Sequence, residues 1–520
     1  MRLKLTRRLV RVILIPGLAA ILYILLPLPG TSRLALSQQQ PNNIADSETV
    51  PEFLDTPIGA VESYYRPDDA VEAGVGFERI IFEWRYLQPN GPDDWYENYI
   101  PAQWLSDAKQ GKRRVIGLLK NAPAWATGST MLGATPRGLN LPIDDPNKYW
   151  AAFVKKLVLY YGPKWNIHDW IIYNEPDIRP ENTQYFEFAG SVRDYYNVVK
   201  VAYKAAHAAD PQVLIHLAGL TYWQDVTYNR NYYLERFLRT AYADPEGRKN
   251  NLFFDVLSVH IFQSTDNVWY ITQLFKHLPE TLGFSKPVWI DEMNALINND
   301  GDWPVTSGYA PVSLDQQASF IIQGTALALA AGAERVQVYR MFDNDVHPGY
   351  EAWGLVRGDG TRRPGYYALK TASEYFRNSS KVERIRNNFA TMVVFTQPDR
   401  TVYVVWNRTL RAPIYVQFPV DIELDSETQV RTVSQIGEES ALSPNNVKAL
   451  LPDNASSVQA ADGSYKLLLP PCISDCEIEG EPRIVVQAGP PRPVTILTEV
   501  GETLPLTSIN ADQADQLAQP

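Results

Sequence analysis

The sequence predicts an α/β fold: a (β/α)8 TIM barrel over residues 55–378, followed by a small antiparallel β-sandwich domain over residues 379–490. Three observations carry the prediction. Apolar strand-like runs alternate with helical periodicity for about 320 residues, the pattern of a strand–helix repeat. The run Trp170-Ile171-Ile172-Tyr173 is apolar without alternation, as in a strand covered on both faces by helices. After about residue 375 the texture changes to short strands separated by turn residues.

Taken in order, the chain opens on a basic head, Arg2, Lys4, Arg7, Arg8 and Arg11, followed by the apolar stretch "VILIPGLAAILYILLPLPG". "ALS" at residues 35–37 has the small-x-small form of a cleavage site. Residues 1–37 therefore read as a signal peptide or a membrane anchor, and the apolar stretch is nearly long enough to span a bilayer. Either reading puts the bulk of the chain outside the cytoplasm, secreted or tethered. Residues 38–54 are a polar linker.

The strand candidates are "FERIIFEW" (77–84), "RRVIGLL" (113–119), "WIIYNE" (170–175), "VLIHLAGL" (213–220), "FDVLSVHIF" (254–262), "PVWIDEMN" (287–294) and "RVQVYRMFD" (335–343). That is seven, so one barrel strand is not placed. Between them "DYYNVVKVAYKAAHAAD" puts Val198, Val201, Ala202, Ala205 and Ala209 on one helical face, and "SFIIQGTALALAAGAE" reads as a buried helix. "ATMVVFTQPDRTVYVVWNRT" then reads as strand, turn, strand, and "APIYVQFP", "TQVRTVSQIG", "SYKLLLP" and "PRIVVQ" continue the sandwich. Residues 491–520 read as a flexible tail. The chain's two cysteines, Cys472 and Cys476, suit a local disulfide in an oxidising compartment better than a zinc site, since no histidine lies nearby.

Composition narrows the function. The net charge is −11 with no basic run beyond the first twelve residues, which argues against a nucleic-acid partner. No phosphate-cradling glycine loop, dinucleotide fingerprint or serine nucleophile elbow appears, and His168, His207 and His277 lack metal-ligand spacing. No cofactor or metal is expected. The 13 Trp and 29 Tyr are more than enough for a core and could also line a sugar-binding cleft.

Chemistry enters at two strand ends. "WIIYNEPDI" runs apolar and then breaks into Asn174, Glu175 and Pro176. A carboxylate ending a buried strand needs something to offset its desolvation. "KPVWIDEMNA" repeats the pattern 117 residues later, ending in Asp291 and Glu292. With two strand candidates between them, the pair falls on the fourth and seventh strands, at the carboxyl ends where such barrels build their sites. Two facing carboxylates suit glycoside hydrolysis: one protonates the leaving oxygen, the other attacks the anomeric carbon or activates water. Asn174 would then bond a sugar hydroxyl beside the reacting carbon. Asp291, pointing to the opposite face of an ideal strand, reads as structural.

These motifs resemble those of the clan A glycoside hydrolases, over roughly residues 60–375. A barrel followed by a β-sandwich is similar to glycoside hydrolase family 39, with its β-xylosidases and α-L-iduronidases. The resemblance implies that Glu175 is the acid/base and Glu292 the nucleophile of a retaining mechanism, and the export-like N-terminus makes the expected substrate an extracellular oligo- or polysaccharide. "GFERIIFEWRYLQPNG" resembles the first-strand pattern and maps Arg79 and Trp84 to the site. "NAPAWAT" resembles the loop after the second strand and places Trp125 near the cleft, and "FDVLSVHIF" maps His260 into the site. "WGLVRGDGTRRPGYYAL" resembles the segment leading into the last barrel helix. Two positions depart from the pattern. Phe262 stands where many members have a tyrosine bonded to the nucleophile, and the eighth strand offers Tyr339 or Met341 in place of a tryptophan. Each remaining candidate also has a plainer role: His260 as a core histidine, Arg79 as a partner of Glu83, Trp84 and Trp125 as packing. The rival functional reading is a non-catalytic carbohydrate-binding surface protein on a degenerate barrel.

Overall fold

A computed structural model of the protein describes residues 53–181, 183, 185–303, 312–344, 352–418, 430–441, 465–472, 477–498, 503–504 and 507–508. The expected signal or anchor and nearly all of the linker lie outside the described residues. No helix among the described residues is long and apolar enough to cross a membrane.

Eight strands come first: β1 (Ile58–Ala60), β2 (Phe77–Glu83), β3 (Arg114–Lys120), β4 (Asp169–Ile172), β5 (Leu214–Leu217), β6 (Leu257–Phe262), β7 (Val288–Asn294) and β8 (Ala333–Val338). They form two parallel sheets, ordered β2-β3-β4-β5 and β1-β8-β7-β6. Parallel bridges His216↔Val256 and Leu220↔Val259 join β5 to β6. At the other seam the Gly76 amide donates to the Ile58 carbonyl at 3.0 Å. Helices α1 (Ala102–Gln110), α2 (Tyr149–Trp165), α3 (Val192–Ala209), α4 (Tyr233–Ala243), α5 (Thr265–Glu280), α6 (Leu314–Ala330) and α7 (Pro364–Tyr375) follow β2 to β8 in turn. This order fits a (β/α)8 barrel.

The strand left unplaced by the sequence is β1. Three residues carry no periodicity, and Gly59 is required there because a Cβ would meet the Phe77 carbonyl oxygen at 2.6 Å. "FERIIFEW" is therefore the second strand rather than the first, and "NAPAWAT" follows the third. The fourth and seventh positions of the two carboxylate-bearing strands are unaffected. Trp170, Ile171, Ile172 and Tyr173 are wholly buried, as expected of a strand covered on both faces. Helix α3 starts at Ser191, whose hydroxyl accepts from the Asp194 amide while Asp194 accepts from the Ser191 amide, a capping box. Val198, Val201, Ala202 and Ala205 form its buried face, and Ala209 is half-buried.

The antiparallel part forms two sheets. The first contains β9 (Lys381–Arg386), β10 (Ala390–Thr396), β11 (Arg400–Asn407), β13 (Val430–Val433), β14 (Glu439–Ala441), β16 (Arg483–Ala488) and β19 (Thr507–Ser508). The second contains β12 (Ile414–Phe418), β15 (Tyr465–Leu469), β17 (Thr495–Thr498) and β18 (Thr503–Leu504). Met392, Val394, Tyr403 and Val405 pack against Val416, Phe418, Leu469 and Ile496 between them. The flexible tail expected from residue 491 is corrected for 495–498: β17 pairs with β12 and buries Ile496. Alternation in "TILT" was too short to stand out from its Pro- and Thr-rich surroundings. Cys472 is disulfide-bonded, and Cys476 is the chain's other cysteine.

The β domain grips the barrel at the start of α5. The Thr265 amide donates to the Glu477 carbonyl at 3.0 Å. Asp266 meets Arg384, Arg386 and Arg408 at 3.3, 2.8 and 2.9 Å.

Candidate active site

At the end of β4 the backbone kinks. Tyr173 (φ 61°) and Glu175 (φ 40°) both lie in the left-handed region, which L-residues seldom occupy without being held there. The Glu175 amide is held by the Gly219 carbonyl beyond β5, at 3.2 Å. Beneath it Tyr195 of α3 ties β4 to β5, its hydroxyl donating to the Ile172 carbonyl (2.9 Å) and accepting from the Ala218 amide (2.7 Å).

Glu292 reaches the same place from β7. Oxygens of Glu175 and Glu292 and a ring nitrogen of His260 lie within 4.8 Å of one another, and all three residues are buried. His260 Nδ1 is 2.7 Å from Glu175 Oε1 and 3.6 Å from Glu292 Oε2. Its Nε2 lies 3.4 Å from Asp291 Oδ2, an electrostatic contact rather than a well-formed hydrogen bond. The ring fits only because residue 219 is glycine: a Cβ there would sit 2.0 Å from His260 Nε2. Arg79, in the middle of β2, donates to Glu292 Oε1 and places its other terminal nitrogen 3.5 Å from Asp291.

Asp291 therefore does not turn away from the site, contrary to the alternation expected of a regular strand. Pairing between β6 and β7 runs Val259↔Ile290 and then His260↔Glu292, so a bulge leaves Asp291 unpaired and re-aims it. Both carboxylates of β7 reach the Arg79 guanidinium and the His260 ring.

The electrostatics separate the two glutamates' surroundings. Burial pushes the Glu175 carboxyl up to about 7; the Glu292 and Glu187 charges add to this, and His260 opposes it. For His260, burial favours the neutral ring, but Glu292 and Asp291 lift it well above the ordinary histidine range. Burial likewise opposes the Arg79 charge, and the same two carboxylates outweigh it. Glu175, His260 and Glu292 are the only cluster with metal-donor spacing among the described residues. It is poorly suited to a cation, because the Arg79 guanidinium already faces Glu292 and the His260 ring carries its proton toward Glu175.

The other predicted residues divide. Asn174 is buried beside Glu175. Tyr339 faces the site, where the charges of Glu292 and Arg79 act on its hydroxyl, whereas Met341 is core. Phe262 has no polar role; its ring meets Tyr339 (6.2 Å) and Trp353 (5.1 Å) edge-on. Trp84 is corrected from sugar platform to core: it is fully buried against Phe153 and Trp150, with Nε1 donating to Gln88. Trp125 is half-buried, packs on Trp84 and Tyr149 and donates to the Gln88 carbonyl. For Trp84 the cause is the four-residue helical turn Trp84–Leu87 directly after β2, which sets its ring against Trp150 and Phe153 of α2.

Sequence reasoning missed Trp353, fixed through its carbonyl by Asn294 Nδ2 at 2.8 Å, and the Lys120–Glu187 pair. Lys120 was visible as a charge ending an apolar run; nothing marked Glu187.

No protein-family model matches the sequence, and neither does any curated protein. Solved structures do resemble it. A family 39 glycoside hydrolase from Bacteroides cellulosilyticus WH2 superposes with a TM-score of 0.58 at 16% identity, covering 83% of this chain and 80% of that one. The fold resembles that of this glycoside hydrolase. A family 39 β-xylosidase from Caulobacter crescentus shares this glycosidase fold (TM-score 0.53, 14% identity, 85% and 97% covered), as does a family 30 endoxylanase from Clostridium papyrosolvens C71 (0.51, 14%, 85% and 98%). At such identities the likeness speaks for the glycosidase fold alone.

Proposed function

We propose that the chain is a retaining glycoside hydrolase acting outside the cytoplasm on oligo- or polysaccharide. The observation that carries this is the pair of buried carboxylates on β4 and β7 with oxygens within 4.8 Å and unequal surroundings. Retaining enzymes hold the two carboxyls about 5–5.5 Å apart; inverting ones leave about 6.5–9.5 Å for a water. Glu175, with a pKa of about 7, carries a proton in mildly acidic solution and delivers it to the glycosidic oxygen. Glu292, oriented by Arg79, attacks the anomeric carbon and forms a glycosyl ester. Esterification removes the Glu292 charge that helps hold the proton on Glu175, so Glu175 can then act as base toward water. Water attacks the same carbon, and Glu292 leaves as carboxylate. No cofactor takes part.

The names of the neighbouring structures make β-xylosides and glucosides the first substrates to try. A non-catalytic sugar-binding role is not favoured, since such a role would not require the Arg79–Glu292–His260–Glu175 chain to be complete. The test is NMR of the first product formed from an aryl glycoside. The substrate's anomer is expected; the opposite anomer would overturn the retaining assignment.

A further inference from the structure

Asp291 has no part in that scheme, yet it stands against both cations of the site. Its side chain is 1% exposed, and Oδ2 lies 3.4 Å from His260 Nε2 and 3.5 Å from Arg79 Nη1. Neither of its oxygens makes a hydrogen bond of regular geometry. What Asp291 contributes is charge, and a carboxylate this deeply buried is costly unless cations offset it.

The His260 ring joins that charge to the acid. Through its other nitrogen, Nδ1, the ring is 2.7 Å from Glu175 Oε1. Once Glu175 has given its own proton to the leaving group, one proton has two places along this line. With the ring charged, both its nitrogens donate, Glu175 is a carboxylate, and Oε2 is free to take a proton from water. With the ring neutral and its hydrogen on Nε2, the proton sits on Glu175 and points at Nδ1. That form is no base.

The charges facing the ring decide between the two. Among the described residues these are Glu175 from β4 and Asp291 and Glu292 from β7, while Gly219 beyond β5 brings none. Burial favours the neutral ring, and in the free enzyme Glu292 and Asp291 together outweigh it. Esterification then takes the Glu292 charge away. Of the two carboxylates on β7, Asp291 alone is left to hold the ring's proton.

We infer that Asp291 is a positioning residue for the second half of the reaction: while Glu292 is esterified, Asp291 keeps the His260 ring charged, so that the negative charge, and with it the base, stays on Glu175. The inference rests on the glycosidase reading and adds no bond change to it. Attacking water passes its proton to Glu175 Oε2, its oxygen joins the anomeric carbon, and Glu292 leaves as carboxylate. The first step is spared, because Glu292 is then still charged and faces the ring.

The experiment compares the wild type with Asp291→Asn, which keeps the side chain's shape and removes its charge. The substrate is the faster of the dinitrophenyl β-xyloside and β-glucoside. Its kcat/KM reports the first step and should change by less than about threefold. Its kcat should fall at least about tenfold, since general-base assistance is worth about 10²–10⁴. KM should fall in proportion as the ester accumulates. Reactivation of enzyme trapped with a 2-deoxy-2-fluoro glycosyl fluoride measures the second step alone and should slow by the same factor. A further readout does not depend on the variant's folding: nitrogen NMR of the histidine-labelled wild-type ester should show the His260 ring charged near pH 7. A neutral ring there would overturn the inference alone. So would an unchanged kcat and reactivation rate, or equal losses in kcat and kcat/KM, the mark of a structural role. A wild type that cleaves neither glycoside and takes up no reagent would remove the glycosidase reading and this inference with it.

Discussion

Replacing Glu175 by glutamine keeps the side chain's shape and removes its titration. Burial carries the carboxyl from 4.5 to about 7 in the native state. At about 1.4 kcal/mol per tenfold change in acidity, that displacement amounts to about 3 kcal/mol. The native state holds a proton that the unfolded chain releases above its ordinary carboxyl pKa. Wild-type stability from this group therefore falls as pH rises from about 4.5 to about 7, and the loss is complete above that. Glutamine avoids the loss, and its Oε1 can still accept from His260. Glu175→Gln should match the wild type near pH 4 and exceed it by up to about 3 kcal/mol near pH 8. Urea unfolding followed by tryptophan fluorescence at both pH values measures the difference. The same variant should lose about 10²–10⁴ in kcat on glycosides with poor leaving groups, with far less loss on a dinitrophenyl glycoside in the glycosylation step, which needs no proton. A stability difference that is the same at both pH values would refute the desolvation argument, whatever the activity does.

Other predictions concern the parts that hold the pair in place. Arg79→Met leaves Glu292 and Asp291 buried with His260 alone facing them and should cost about 3–5 kcal/mol by chemical denaturation; a loss under about 1 kcal/mol would show the pair to be better solvated than its burial implies. Gly219→Ala puts a methyl where the His260 ring lies and should cut kcat/KM at least about tenfold through displacement of the ring; unchanged kinetics would exclude His260 from orienting Glu175. Tyr195→Phe strips the partners from the Ile172 carbonyl and the Ala218 amide and should destabilise by about 1–3 kcal/mol.

Much of the site was legible because charge is anomalous at the end of an apolar strand. Glu175 and Glu292 announce themselves that way, and Arg79 and His260 stand inside equally apolar runs. Lys120 ends "VIGLL" in the same manner and could have been singled out by the same rule. Glu187 could not: it sits in an irregular loop and meets Lys120 from 67 residues away. The alternation rule failed at Asp291, since a bulge is invisible in a run whose members are all buried. Strand β1 escaped because three residues cannot display a period, and Trp84 was misplaced because the chain coils immediately after β2.

The most direct test is intact mass after incubation with 2-deoxy-2-fluoro glycosyl fluorides, followed by peptide mapping. These reagents form the glycosyl ester and hydrolyse it slowly, and their good leaving group dispenses with the proton from Glu175. An adduct of one glycosyl unit on the peptide containing Glu292 is the predicted result. An adduct on Glu175 or any other residue would contradict the assignment of roles, and turnover of the parent glycoside with no adduct from its own fluoride would contradict the covalent mechanism.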